Sequence, residues 1–138
     1  MDKRKIVIIG IAVAIGLMFL ISQISAEINR NETKARISAY LEQQPTITIT
    51  GVIDHWNPID GPSFALVTDE KVDAEVGYRG IYLYGKELDE HLEGKHVRIQ
   101  GKLLKSYVEY AENTGIMYSG GSPTTATIII EDIQILNS

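Results

Sequence analysis

An uninterrupted run of sixteen apolar residues and glycines, Ile6–Ile21, constrains this 138-residue chain more than any other feature. Five further residues bring the run toward the roughly 20 residues that cross a bilayer as a helix. Three basic residues at positions 3–5 precede it, and the positive-inside rule then places the N-terminus in the cytoplasm. We therefore predict that residues 1–26 form an uncleaved membrane anchor, with Ile6–Ile24 in the bilayer and the rest of the chain outside the cytoplasm.

A cleaved signal peptide is the alternative interpretation of the same segment. Ile24-Ser25-Ala26 provides a small-residue pattern of the kind found at cleavage sites. The sixteen apolar positions exceed the roughly 7–15 residues of a cleaved apolar region, and isoleucine is not a small residue. The pattern therefore favours the anchor.

Residues 27–44 are polar and rich in helix formers, and they end at Pro45. Since the residue before a proline avoids the helical region, this composition predicts a helical stalk that stops there. Residues 45–138 then make up one small domain. Positions 2–5 contribute +2 to the net charge of −5, so the chain from Glu27 onward carries −7. An acidic domain repels phosphate backbones unless its basic residues gather on one face.

A short helix over Lys86–Glu93, followed directly by a strand, is the clearest folding unit of this domain. Leu88 and Leu92 are four residues apart and share one helical face, and Gly94 follows as a helix-terminating glycine. Apolar and polar residues then alternate from Lys95 onward, which is typical of a half-buried strand.

Similar alternation predicts four more strands, and the fold follows from their order. Gly51 interrupts the first of them and indicates a bulge or a sharp bend. The stretch Glu109–Thr125 contains asparagine, glycine and serine clusters and is predicted to be a loop. The order favours a mainly β domain: a five-stranded barrel with one short helix between the third and fourth strands. The predicted strands are Thr46–Trp56, Ser63–Asp69, Gly80–Gly85, a strand from Lys95 that extends toward Tyr110, and Ala126–Leu136.

This order resembles the OB-fold. The resemblance depends on the mid-strand Gly51, on Phe64–Asp69 and on Leu92–Gly101. Members of that superfamily commonly bind ligands on the face of the second and third strands and on the flanking loops. The resemblance implies that outward aromatic and basic residues contact a ligand. The candidate ligand-binding residues are Trp56, Tyr82, Tyr84, Arg98, Lys102 and Tyr110.

The layout of a short cytoplasmic tail, one membrane helix and an exported OB-fold is similar to that of the haem chaperone family of cytochrome c maturation. That family attaches haem through the histidine of a His-Asp-Glu-Asn-Tyr stretch. The nearest string here, Tyr110-Ala-Glu-Asn-Thr114, has no histidine. Only the layout carries over, and no cofactor is predicted.

Catalytic and metal-binding patterns are not found in the sequence. The chain has no cysteine and no nucleophile elbow or phosphate loop, and its three histidines are not spaced as metal ligands. The sequence therefore predicts a non-enzymatic, membrane-tethered module outside the cytoplasm that binds a protein, glycan or small ligand through its barrel face and the Glu109–Thr125 loop. The alternatives are a haem or metal handling protein of the cell envelope and a nucleic-acid-binding OB domain, the latter disfavoured by the net acidity.

Overall fold

A computed structural model describes residues 2–59, 61–118 and 120–137 of the chain. Met1 and Ser138, the outermost residues of the predicted segments 1–26 and 45–138, lie outside the described residues. The chain divides into two compact units, Met1–Ile37 and Ser38–Ser138.

One long helix, α1, runs from Lys3 to Glu42 and contains most of the predicted anchor and stalk. It is long and apolar enough to cross a membrane, a criterion that an N-terminal signal sequence also meets. None of its residues is buried within the chain. The helix ends three residues before Pro45, in agreement with the prediction that proline stops it.

Five strands form one sheet, and each begins within one residue of its predicted start. They follow one another around the sheet in the order β1-β2-β3-β5-β4, and β4 pairs back onto β1, so the sheet closes into a ring. The β3–β5 pair is parallel, whereas the other four neighbouring pairs are antiparallel. The bounds are β1 Thr46–Trp56, β2 Ser63–Thr68, β3 Ile81–Tyr84, β4 His96–Leu104 and β5 Thr127–Asn137.

The first strand, β1, pairs with a different neighbour along each half of its length. Its first half pairs with β4 and its second half with β2, and Gly51 lies opposite Thr68 and Val97 at the same time. A Cβ at position 51 would lie 2.3 Å from the carbonyl oxygen of Val67, which is too close for any side chain. Gly51, which interrupts the alternation of β1, therefore lies where both β2 and β4 pair with the same backbone and where β2 leaves no room for a side chain.

The core lies inside the ring and is built from the inward residues of all five strands. Ile49 and Ile53 of β1 are buried, as the alternation of the strand predicts, and Ile47 packs partly buried against them. Leu88 and Leu92 also pack against this core from the segment between β3 and β4. The remaining buried members are Phe64, Leu66, Ile81, Leu83, Val97, Ile99, Ala126, Ile128 and Ile130.

The helical content between strands differs from the prediction in two places. The helix expected over Lys86–Glu93 is a single 3₁₀ turn at Glu90–Leu92, because the Asp89 carboxylate accepts a hydrogen bond from the backbone N–H of His91 and starts the turn only there. A second helix, α2, runs from Tyr107 to Thr114, where the end of a strand and the start of a loop were predicted. Helix and strand contents are about equal over the chain, so the mainly β prediction holds only for residues 45–138.

Candidate ligand-binding groove

Two aromatic pairs stand side by side on the outer surface of the ring. Tyr82 and Tyr84 alternate with buried residues along β3, so their rings share the outward face. Trp56, the last residue of β1, packs edge-on against Tyr82 with 5.8 Å between ring centroids. Tyr107, the first residue of α2, stacks on Tyr84 at 4.5 Å. Three separate elements thus bring four aromatic side chains together.

These rings line a groove with a volume of about 400 Å³, whose other walls come from the loop after β1 and the loop before β5. The thirteen lining residues comprise four tyrosines, one tryptophan, three prolines, two serines, two glycines and one methionine. Among the described residues, the lining contains no acidic or basic side chain. We call this site the aromatic groove and define it by its rings, Trp56, Tyr82, Tyr84, Tyr107 and Tyr118.

The concave surface continues beyond the aromatic groove toward the 3₁₀ turn. A cavity of about 250 Å³ shares Pro62, Tyr82 and Tyr84 with the groove and reaches Leu88. A further cavity of about 340 Å³ starts from Pro62 and Leu88 and ends at the exposed Asp89. The three cavities share Pro62, and the acidic residues Asp89 and Glu90 line only the last of them.

The tyrosine hydroxyls give the aromatic groove its polar character. Burial raises the pKa of Tyr84 to about 12, and the neighbouring phenols of Tyr107 and Tyr82 add to the effect. The Tyr84 hydroxyl therefore keeps its proton at neutral pH and can donate a hydrogen bond. Tyr118 donates to a Glu112 carboxylate oxygen at 3.3 Å, whereas among the described residues the other three hydroxyls have no hydrogen-bond partner. These three groups are available to a ligand.

A capped helix holds Tyr107 in place. The Ser106 hydroxyl accepts a hydrogen bond from the backbone N–H of Glu109 at 2.9 Å, which satisfies a free donor at the start of α2. Gly115 ends the helix with φ of 78°, a left-handed conformation that favours glycine. Tyr107 was not among the predicted site residues, although Ser-x-x-Glu at 106–109 and the later glycine are recognisable helix-start and helix-stop signals.

The guanidinium of Arg79 packs over the indole ring of Trp56. The guanidinium carbon of Arg79 lies 4.5 Å from the centroid of the indole ring, in a cation–π arrangement. The same guanidinium lies 3.3 Å from an Asp54 carboxylate oxygen. The positive charge beside the groove is therefore already paired with a carboxylate.

Of the six candidate ligand-binding residues, Trp56, Tyr82 and Tyr84 line the aromatic groove. Arg98 and Lys102 both lie on β4, outside the groove lining. The Arg98 guanidinium donates to the side-chain oxygen of Gln134 at 3.2 Å, and the Lys102 ammonium donates to the Gln44 carbonyl at 3.3 Å. Both side chains thus connect neighbouring segments of the domain.

Tyr110, the sixth candidate, is only 6% exposed. Its ring packs between Tyr107 of α2 and Tyr40 in the last turn of α1, at centroid distances of 5.5 and 5.6 Å. It supports the ring of Tyr107 from behind and does not itself line the groove.

Each histidine interacts locally. His96 lies with Nε2 2.7 Å from an Asp69 carboxylate oxygen, and His91 contacts the Asp89 carboxylate. His55 donates from Nδ1 to the Ser63 carbonyl at 3.1 Å. Within the part of the chain that the structure describes, no group of three or more His, Cys, Asp or Glu side chains is placed to hold a metal ion.

Comparison of the chain with protein-family models, with curated proteins and with solved structures found no match. Function is therefore inferred from the aromatic groove itself.

Proposed function

We propose that this protein is a membrane-tethered binding module whose ligand occupies the aromatic groove. The observation that carries this proposal is the gathering of five aromatic rings from β1, β3, α2 and a loop around one concave site of about 400 Å³. Ligand sites are typically concave, mostly apolar and equipped with a few polar groups that fix orientation. The aromatic groove is concave and combines aromatic rings with several polar groups.

We further propose that the domain is an OB-fold-like barrel. The order β1-β2-β3-β5-β4 and the parallel β3–β5 pair support this interpretation. The aromatic groove lies beside β3, between the loop after β1 and the loop before β5. OB-folds place their ligands on this face and between these loops.

The proposal also includes the membrane anchor and its orientation. The apolar first half of α1 would span the bilayer, and the basic residues at positions 3–5 would hold its start in the cytoplasm. The groove then faces the extracytoplasmic space.

Binding is favoured over catalysis by the chemistry of the groove lining. Acid–base or nucleophilic catalysis needs an ionisable group within hydrogen-bond reach of the reacting atoms. The polar side chains in the described lining are hydroxyls and one indole N–H, with no histidine, carboxylate or amine among them, and the raised pKa makes the Tyr84 hydroxyl a weaker acid than an ordinary phenol. No particular observation favours haem, a metal or nucleic acid as the ligand.

Site-specific photo-crosslinking in living cells tests this function. A benzophenone amino acid would replace Ser122, a half-buried groove residue, or Tyr78, which is fully exposed outside the groove. We expect a defined adduct at position 122 that is absent at position 78. Adding Tyr84→Ala should remove the adduct, and Tyr118→Ala at the more exposed lip should weaken it.

A thermal melting curve of each variant provides the folding control for this experiment. Adducts of equal intensity at positions 78 and 122, or an adduct at 122 that survives both tyrosine substitutions, would refute the groove as the binding site.

A further inference from the structure

The hydrogen-bonding side chains of the aromatic groove are hydroxyls, which donate or accept, and one indole N–H, which only donates. The lining offers tyrosine and serine hydroxyls and the Trp56 N–H, but no amide or carboxylate side chain in its described part. An oligosaccharide carries several hydroxyls per ring, and each requires a partner once it is buried. A proline residue has no N–H and presents one carbonyl acceptor, so a few hydroxyl donors satisfy it.

The charges around the groove disfavour a polyanion. The chain from Glu27 onward carries a net charge of −7, and the groove lining contributes no positive charge among its described residues. Arg79, which flanks Trp56, is paired with Asp54. A nucleic acid needs lysines and arginines along its backbone, whereas a neutral peptide does not.

The composition of the groove is that of a protein-contact surface. Tyrosine, tryptophan and methionine are enriched in the cores of protein interfaces, while lysine, glutamate and aspartate are depleted. Met117 lines the groove and is 94% exposed, and Ile59 is fully exposed in the loop after β1. Met117 thus adds an accessible apolar side chain to the groove lining.

The ring restricts how such a polypeptide can bind. Each of the five strands pairs with a neighbour on both sides along part of its length, so only short edges are open to an added strand. Extended proline-rich segments instead dock as polyproline II helices in grooves lined by aromatic rings. Tyr82 and Tyr84 are two residues apart on β3, hence about 7 Å apart, and their rings share the outward face.

From these observations we infer that the aromatic groove binds an extended, proline-rich segment of a partner protein. This inference rests on the proposed function, that the groove is a binding site, and it names the class of ligand. Oligosaccharide and single-stranded nucleic acid are the competing classes that the experiment distinguishes.

The test uses the full-length protein in lipid nanodiscs and the emission of Trp56, the single tryptophan of the chain, which lies in the groove. The probe is an acetylated and amidated decaproline, which does not absorb at the excitation wavelength of tryptophan. A glycine-serine peptide of equal length, which has no polyproline II preference, is the matched control. Maltohexaose by emission and a labelled oligothymidylate by anisotropy represent the competing classes.

We expect a saturable change in Trp56 emission with decaproline and none with the glycine-serine peptide. Tyr84→Ala and Met117→Ser should each weaken decaproline binding, Tyr84→Ala by about tenfold or more because it removes a buried aromatic contact. Met117→Ser changes an exposed side chain and leaves the core intact, so it remains informative if the tyrosine variant unfolds. Tyr78→Ala, outside the groove, should bind like the original protein.

The absence of saturable decaproline binding, or binding that neither groove substitution weakens, would overturn the inference. Binding of maltohexaose or oligothymidylate in place of decaproline would also overturn it, while supporting the groove as a site. The proposed function has its own refutation in the crosslinking experiment, so the two failures are distinguishable.

Discussion

At the scale of single residues, Asp89 shows how one carboxylate decides local structure and local charge. It accepts hydrogen bonds from the backbone N–H and from the imidazole of His91. These bonds lower the pKa of Asp89, and the bond from the backbone N–H contributes most. The pKa of His91 is raised, first by the hydrogen bond to Asp89 and then by the negative charge of that carboxylate. Both groups are exposed, so solvent screens the pair.

The sign of the resulting pH dependence follows from these directions. The raised pKa of His91 adds stability that is complete below its ordinary value of 6.5 and is lost as the pH rises through the folded-state value. The lowered pKa of Asp89 adds stability above its ordinary value of 3.8 that is lost as the pH falls through its folded-state value. The pair therefore acts most strongly between these two ordinary values.

We expect Asp89→Asn to lower the pKa of His91 toward its ordinary value, because asparagine can still cap the 3₁₀ turn but carries no charge. An NMR titration of the His91 ring protons in the full-length protein measures this change. Glu90→Gln is the control, since Glu90 is the weakest of the influences on His91 and should shift the pKa much less. An unchanged titration in Asp89→Asn would show that the contact does not persist in solution.

The residues of the candidate site could be predicted in part. Tyr82 and Tyr84 followed from strand alternation, because a period of two assigns each residue to a face, whereas Trp56 was predicted from its aromatic ring and the OB-fold resemblance. The same alternation showed that Arg98 and Lys102 point outward, but not that Gln134 and Gln44 are their partners. Such contacts depend on register between strands that are distant in sequence.

At the scale of elements, α2 connects capping chemistry to the aromatic groove. We expect Ser106→Ala to lower the free energy of unfolding by about 1 kcal/mol, because it leaves a backbone N–H at the start of the helix without its acceptor. The helix should fray from Tyr107, so its amide hydrogens should exchange faster. Urea unfolding and amide hydrogen exchange of the full-length protein measure the two effects.

Ser106→Asp keeps a capping oxygen and places a negative charge at the helix start, so it should retain the original stability. Equal losses in Ser106→Ala and Ser106→Asp would mean that the hydroxyl matters for something other than capping.

The accuracy of the sequence-based predictions differed between strands and helices. Strands with clear alternation, such as Thr46–Trp56, were found with their bounds. The helix α2 was not predicted because it is only eight residues long and lies between a strand and a glycine-serine stretch. Its first residues were therefore assigned to the strand and its last residues to the loop. The parallel β3–β5 pairing has no local sequence signal, because it joins residues more than forty positions apart.

At the scale of the whole molecule, the absence of cysteine from the sequence offers a direct test of the anchor and its orientation. Tyr78→Cys would place a single thiol at a fully exposed position of the domain, and Asp2→Cys would place one before α1. We expect a membrane-impermeant maleimide to label Tyr78→Cys on intact cells and Asp2→Cys only after permeabilisation. The positive-inside rule gives the physical reason.

Labelling of the two variants in the reverse order would refute the proposed orientation. If the intact mass of the mature protein showed that residues 1–26 had been removed, the apolar segment would instead be a cleaved signal peptide.

The closed ring has a consequence for copies of this protein that share a membrane. Confinement to a plane raises the frequency with which neighbouring copies collide. A sheet with an open side would offer such neighbours a row of unpaired backbone donors and acceptors, and repeated pairing would build fibrous aggregates. Because every strand has a neighbour on each side along part of its length, the sheet offers adjacent copies only short unpaired edges as a template for such pairing.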